Sequence, residues 1–436
     1  MQLYSTQSPQ QVYSFGEAVL KGLPADNGLF MPVHIGRLPK EVLDGMASYS
    51  FAELSVEVAK VLLEGAIPTA ELERIVQESV NFAAPLAQVR EGVYALELFH
   101  GPSLAFKDFG ARFMARVMAY FDKDADRPLN ILVATSGDTG GAVAAGFYRT
   151  PGIRVVVLYP SGKVSHLQEQ QLTTLGHNIH AVEVQGTFDD CQALVKQAFL
   201  DADLQRQYRL TSANSINIAR LIPQAFYYFE AYKQLLDKKD VVVSVPSGNF
   251  GNLTAGLIAK RMGLPIGRFL AATNVNDTVP AYLKTGIYTP KASVPTYSNA
   301  MDVGNPSNFV RMLDLYKGSV TALRQDVVGY AFSDAETLAA MRRVYEQDGY
   351  ILDPHGAVGY LALEAYARQT GSSVKGIFLE TAHPSKFIDT VSAAIGTSPP
   401  IPERLAALAD KKKEAELLSA DFDTFKNYLL SATFLK

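Results

Sequence analysis

The chain has 436 residues, 48% hydrophobic and 19% charged, a globular mix that excludes wholesale disorder and, at ~100–200 residues per domain, predicts two or three lobes. Its 40 basic and 44 acidic side chains give a formal charge of -4, so there is no cationic surplus for a polyanion and nucleic acid is not expected as a partner. The one cysteine, Cys191, can form neither an internal disulfide nor a thiolate metal set, which fits a reducing compartment. Met1–Gln7 lacks the basic and apolar segments of a secretory leader, and no apolar run approaches the ~18–20 residues of a membrane span. These features predict a cytoplasmic protein with no membrane partner.

Residues 1–90 carry helical patterns at Ser14–Leu20, Phe51–Leu63 and Ala70–Val80, separated by Gly- and Pro-containing turns, and are expected to form a mostly helical N-terminal region. From residue 91 to about 400, short β-branched runs alternate with amphipathic stretches. The runs are Val93–Phe99, Leu129–Ala134, Ile153–Tyr159, Ile179–Val184, Val241–Val245, Phe269–Ala272 and Val374–Leu379. Between them lie the helical patterns Phe109–Phe121, His166–Leu175, Ala219–Leu236 and Leu253–Met262. This alternation predicts an α/β catalytic region with parallel sheets and helices on both faces. Residues 273–308 are rich in Asn, Thr, Pro, Tyr and Ser and are expected to be an irregular functional loop or lid. Helical patterns return at Asp334–Glu346 and Gly356–Ala367, and a Pro-rich turn at Ser398–Pro402 sets off a charged tail, residues 401–436, expected to be helical.

Five segments carry candidate chemistry. In His100–Gly110, Lys107 stands between phenylalanines at a strand-to-helix passage. Desolvation there lowers an ammonium pKa toward the neutral amine that attacks a carbonyl; alternatively Lys107 is an exposed loop residue paired with Asp108. Thr135-Ser136-Gly137-Asp138-Thr139-Gly140-Gly141 follows a strand and reads as an anion-binding turn or a plain helix cap. Ser247-Gly248-Asn249-Phe250-Gly251-Asn252 also follows a strand, and its glycines and small polar groups suit a phosphate nest. In Asn214–Arg220, two amides, a hydroxyl and a guanidinium precede a helix, and the guanidinium suits forked binding of phosphate or carboxylate, or a solvated helix face. Thr381 follows the last apolar run, where parallel strands meet ligands, but taken alone it reads as an N-cap hydroxyl. No H-E-x-x-H, G-x-S-x-G, G-x-G-x-x-G or P-loop sequence occurs, so metal, hydrolase and dinucleotide chemistry lack support.

Taken in order over essentially the whole chain, these segments resemble the threonine synthase family, in its branch with a long N-terminal helical region, within the fold-type II pyridoxal 5'-phosphate enzymes. The resemblance implies that Lys107 bonds the cofactor aldehyde and later acts as base. It implies that Gly248, Asn249, Phe250, Gly251 and Asn252 cradle the cofactor phosphate and that Thr381 lies beside the pyridine nitrogen. Thr135, Ser136, Asp138 and Thr139 match the loop receiving the substrate carboxylate. Asn214, Ser215 and Arg220 resemble the segment holding the substrate phosphate, with Ser103 and Lys163 as further candidates. Asp138 departs from related β-replacement enzymes, which carry Asn beside the cofactor's phenolic oxygen. The implied reaction converts O-phospho-L-homoserine and water to L-threonine and phosphate, in a monomer or homodimer. The alternatives are a threonine or serine dehydratase on the same fold, or a catalytically silent cofactor-binding relative.

Overall fold

Near-continuous apolar runs become parallel strands because both faces of such a sheet are covered by helices. The computed structural model, which describes residues 1–235, 238–371 and 376–435, contains all of the expected runs as strands. The larger sheet runs, edge to edge, Val327–Ala331, Arg268–Thr273, Val242–Pro246, Gly376–Glu380, Val93–Glu97 and Leu86–Arg90. Its pairings are parallel except at the last edge, where Leu86–Arg90 runs antiparallel to Val93–Glu97. The second sheet, all parallel, runs Glu416–Ser419, Ile179–Gln185, Ile153–Pro160, Leu129–Ala134 and Arg209–Ser212. Every residue of the central strands Val242–Pro246 and Gly376–Glu380 is buried, whereas the edge strand Glu416–Ser419 is mostly exposed. This is the α/β architecture with two open parallel sheets.

Helix starts follow local capping chemistry. Ser50 and Glu53 form a reciprocal capping box that starts Phe51–Leu63, and Ser333 with Glu336 does the same for Asp334–Asp348. The expected helix Ala219–Leu236 is instead three pieces, Ile218–Leu221, a 3-10 turn at Ile222–Ala225, and Phe226–Gln234. Pro223 has no N–H for the ladder, so the chain tightens there. Leu236, the start of the Val374–Leu379 run, and Lys436 of the tail lie outside the described residues.

The N-terminal segment contains four α-helices and also an antiparallel sheet of Val12–Ser14, Gln2–Ser5 and Phe30–Pro32. Such short strands leave too little alternation to be read from sequence. The 273–308 stretch is less irregular than expected: it holds the helix Thr278–Thr285 and a 3-10 turn at Asn299–Met301. The tail contributes the strand Glu416–Ser419 as well as the helix Phe422–Ser431. No helix among the described residues is long and apolar enough to cross a membrane, and no cluster of metal-ligating side chains occurs among them.

Candidate active site

Lys107, Ser136, Gly248 and Thr381 each follow the carboxyl end of a parallel strand, and all four line one cavity of about 480 Å³. That is where open α/β sheets bind ligands, and the volume suits a cofactor with a small substrate. Lys107 is the first residue of helix Lys107–Asp122, with its Nζ 5.0 Å from the Phe106 ring centre and 3.8 Å from Asp138 Oδ2. It is not paired with Asp108, whose Oδ2 accepts from the Ser103 N–H at 2.9 Å. Burial lowers the Lys107 ammonium pKa below the ordinary lysine value; Asp138 opposes the shift, and Lys386 and Arg220 reinforce it. The positive end of the helix dipole acts in the same direction.

Asp138 sits between two ammonium groups. Lys386, fully buried, places Nζ 2.7 Å from Asp138 Oδ1 and donates to Ser103 O at 2.8 Å. Gln168 Nε2 donates to the same carboxylate at 3.1 Å. Burial alone raises the Asp138 pKa, but Lys386 and Lys107 outweigh it and hold the carboxyl well below the usual carboxylate range. Asp138 is therefore ionised.

The Ser247–Asn252 loop is built with free donors. Asn252 spends its side chain within the protein, accepting from Ser247 Oγ and donating to Pro246 O, and Asn249 Oδ1 accepts from Ser307. The N–H groups of Gly248, Asn249, Phe250 and Gly251 have no acceptor among the described residues. They precede or open helix Gly251–Arg261, and Phe250 takes the left-handed φ of 62° that curls the loop. A Cβ on Gly248 would stand 2.6 Å from Ala300 O and 2.9 Å from Met301 Cα, both backbone atoms. This donor set fits a phosphate, so the residues present fit pyridoxal phosphate.

A second cation faces the same cavity. Arg220 is buried, donates through Nη1 to Ala213 O at 2.8 Å, and leaves Nε without a partner. Burial pushes its pKa down to about 10, only partly opposed by Asp108. Ser215, Lys163, Thr139 and Asp138 also line the cavity. Ser103, Thr135 and Asn214, expected at the substrate, do not. Ser103 turns its carbonyl to Lys386 and Gln171. Thr135 Oγ1 accepts from the N–H groups of Gly137 and Gly140, holding the turn together from behind. Asn214 takes part in the turn before Ile218–Leu221, its carbonyl accepting from Asn217.

A model of the family "Pyridoxal-phosphate dependent enzyme" matches residues 74–378 of this chain. Models of the threonine synthase N terminus and C-terminal regions match residues 2–80 and 356–429. The threonine synthase of Haemophilus influenzae is 48% identical over 99% of this chain and 100% of its own length. The chain belongs to the threonine synthase family. The crystal structure of threonine synthase from Escherichia coli matches with a TM-score of 0.91 at 46% identity over 99% of both chains. A structure of threonine synthase with bound pyridoxal phosphate, from Brucella melitensis, matches with a TM-score of 0.92 at 35% identity over 98% of both. The cofactor of this chain is pyridoxal phosphate, and its fold is that of the fold-type II enzymes of this family.

Several groups at the cavity lay outside the sequence expectation. Lys386 follows the strand end at Thr381 by five positions and reads as a surface lysine, since lysines are almost never fully buried without a partner; Asp138, remote in sequence, is that partner. His355 lines the cavity, with Nδ1 2.6 Å from Asp353 Oδ1 and Nε2 accepting from Ala300 N–H at 3.1 Å. Its ring proton therefore sits on Nδ1, and its other nitrogen anchors the 273–308 stretch. Asn274 Nδ2 pins the same stretch through Thr296 Oγ1 at 2.8 Å and Asp302 Oδ1 at 2.9 Å. Cys191 is buried away from the site, and burial with Asp190 pushes its thiol up to about 12.

Two outcomes follow from this geometry. Gly248→Val loses about 1–3 kcal/mol of cofactor affinity, the usual overpacking penalty, because backbone atoms cannot yield to a branched side chain. Asn249→Ala loses less, since its side chain bonds to Ser307. Absorbance after dialysis measures both, and wild-type retention in Gly248→Val would exclude the nest. The second outcome concerns the Lys107 amine: if it is the group that bonds the cofactor aldehyde, it does so only when unprotonated. Lys386→Met removes a neighbouring positive charge and shifts the pH profile of cofactor capture upward; Asp138→Asn removes a negative one and shifts it downward. The double variant returns toward wild type. Profiles that coincide in all four proteins would show the pair to be electrostatically silent at Lys107.

Proposed function

We propose that this chain converts O-phospho-L-homoserine and water to L-threonine and phosphate in the cavity around Lys107. The observation that carries the reading is the presence, on one cavity, of a desolvated amine and two separate anion sites: the free N–H groups of Gly248–Gly251, and the Arg220 guanidinium with its unpartnered Nε. One phosphate site suits the cofactor, the other the substrate.

In this reading the cofactor supplies the electron sink for charge developing on the substrate carbons. Lys107 Nζ removes the proton from the α-carbon. Deprotonation at the β-carbon then allows phosphate to leave the γ-carbon, water adds its oxygen to the β-carbon, and protons return to the α- and γ-carbons. Arg220 and Ser215 hold the substrate phosphate, aided by Lys163, while Ser136 and Thr139 receive the carboxylate. Asp138 is unsuited to that last task because it is ionised, and it serves instead to hold Lys386 and Lys107 in register. Thr381, which lines the cavity, would offer its hydroxyl to the pyridine nitrogen of the bound cofactor. The stretch carrying Ala300 and Met301, opposite Thr187 and Phe188 on the cavity rim, excludes water until phosphate has gone.

The reading includes a cytoplasmic setting, in keeping with a single buried thiol. One chain contributes every residue named, which suits a monomer or a homodimer alike. Turnover tests it directly: phosphohomoserine yields threonine and phosphate in equal amounts, while threonine or serine yields no ammonia. Ammonia release from threonine at a comparable kcat/KM would favour the dehydratase.

A further inference from the structure

Arg311 is among the largest fully buried side chains of the described residues, and it pairs with no carboxylate among them. Its Nε donates to Phe30 O at 3.1 Å, Nη2 to Ile216 O at 2.7 Å and Nη1 to Asn308 Oδ1 at 2.6 Å. Each acceptor is neutral, and burial pushes the guanidinium pKa down to about 9. A buried cation without an anion is costly, and such charges are ordinarily paired.

Asn308 explains where the missing anion lies. It is fully buried, and its backbone N–H donates to Asn249 O at 3.2 Å, which joins it to the Ser247–Asn252 loop. Because Arg311 occupies Oδ1, the amide orientation is set, and the opposite end must be the NH2 group. That Nδ2 has no hydrogen-bond partner. It lies 3.4 Å from the position a Cβ would take on Gly251, a cavity-lining residue whose own N–H is free. An orphaned donor and an unpaired cation behind it thus converge on the loop whose backbone donors are also unsatisfied.

We infer that Asn308 is a further donor to the cofactor phosphate, and that Arg311 is the residue that positions it and balances the phosphate charge from behind. The inference rests on the reading of Ser247–Asn252 as the cradle. It also gives Arg311 a linking role: its other two bonds reach Phe30 in the N-terminal sheet and Ile216 beside Ser215. Filling the cradle thereby braces the segment that carries Arg220.

The test compares binding of pyridoxal phosphate and of pyridoxal to the cofactor-stripped full chain, followed by absorbance. The ratio of the two affinities isolates the phosphate contribution, which a general loosening of the fold would leave unchanged. Asn308→Ala should lower the ratio about tenfold to a hundredfold, as for a hydrogen bond to a charged group. Asn308→Asp should lower it further, since its carboxylate keeps the Arg311 contact but faces the phosphate with negative charge. Arg311→Lys should retain more of the ratio than Arg311→Met; if the latter fails to fold, Asn308→Asp decides. A ratio equal to wild type in both Asn308 variants overturns the inference alone. A wild-type chain that binds pyridoxal as tightly as pyridoxal phosphate overturns the cradle as well.

Discussion

Lys107→Ala abolishes turnover and the borohydride-reducible link between protein and cofactor, while leaving a chain that still binds pyridoxal phosphate through its phosphate. The expectation follows from the setting of the amine. Burial and the neighbouring Lys386 and Arg220 favour its unprotonated form, and the start of a helix adds to that bias. Neither of the two other lysines described near the cavity is placed to substitute. Lys386 is fully buried and committed to Asp138 and Ser103, and Lys163 is exposed on the cavity rim. General base catalysis by a positioned group contributes typically ~10²–10⁴-fold, and in the proposed function the same nitrogen also bonds the cofactor, so both contributions should vanish together. Mass spectrometry after borohydride reduction, with phosphate release measured in parallel, gives the result. A variant that retained the reducible link would move the attachment to another lysine.

Arg220→Ala lowers kcat/KM for phosphohomoserine by about 2–5 kcal/mol, the range for truncating one partner of a buried charged pair; at 1.36 kcal/mol per decade this is roughly 30- to 5000-fold. Its Nε lacks a partner among the described residues, and the guanidinium's hydrogen bond from Nη1 to Ala213 O aims the group rather than neutralising it. Cofactor absorbance should be unchanged, because the cofactor phosphate has its own donors in Gly248–Gly251 and, by the inference above, in Asn308. Inorganic phosphate should inhibit wild type more strongly than the variant. Arg220→Lys should recover only part of the loss, since an ammonium lacks the planar fork that engages two phosphate oxygens. If Arg220→Ala instead released the cofactor with substrate discrimination intact, the two anion sites would be exchanged.

Leu129–Ala134 and Phe51–Leu63 coincide with their elements residue for residue. The first is a largely apolar run buried on both faces. The second opens on a capping box and ends at the left-handed Glu64. Both signals are local, so they survive without knowledge of the rest of the chain. Lys107, Ser136 and Gly248, which line the cavity, were candidates for a related reason: each segment alone was also readable as a loop or cap, and only the ordered combination of all five pointed to a ligand. The N-terminal sheet and the strand Glu416–Ser419 were not legible, because strands of three or four residues are set by the partner they pair with rather than by their own pattern.

The substrate-side residues divide along the same line. Ser103, Thr135 and Asn214 do not line the cavity, although Lys107, Ser136 and Ser215 of the same segments do, since which residues of a loop reach a cavity depends on what packs behind it. Asp138 carried an ambiguity of charge that composition could not resolve; the buried Lys386 resolves it by lying 2.7 Å away. By itself the sequence determined the α/β alternation, the glycine-bearing loops at strand ends and the family, all of which are encoded in short contiguous windows. Only the tertiary structure decided the pairing of Asp138 with Lys386, the tie of His355 to Ala300, and the meeting of Arg311 and Asn308 behind the Ser247–Asn252 loop. The first two contacts join residues distant in the chain, and the third, local in sequence, reaches the remote Asn249 through the Asn308 N–H; the desolvation that gives each its consequence exists only once the partners are buried together.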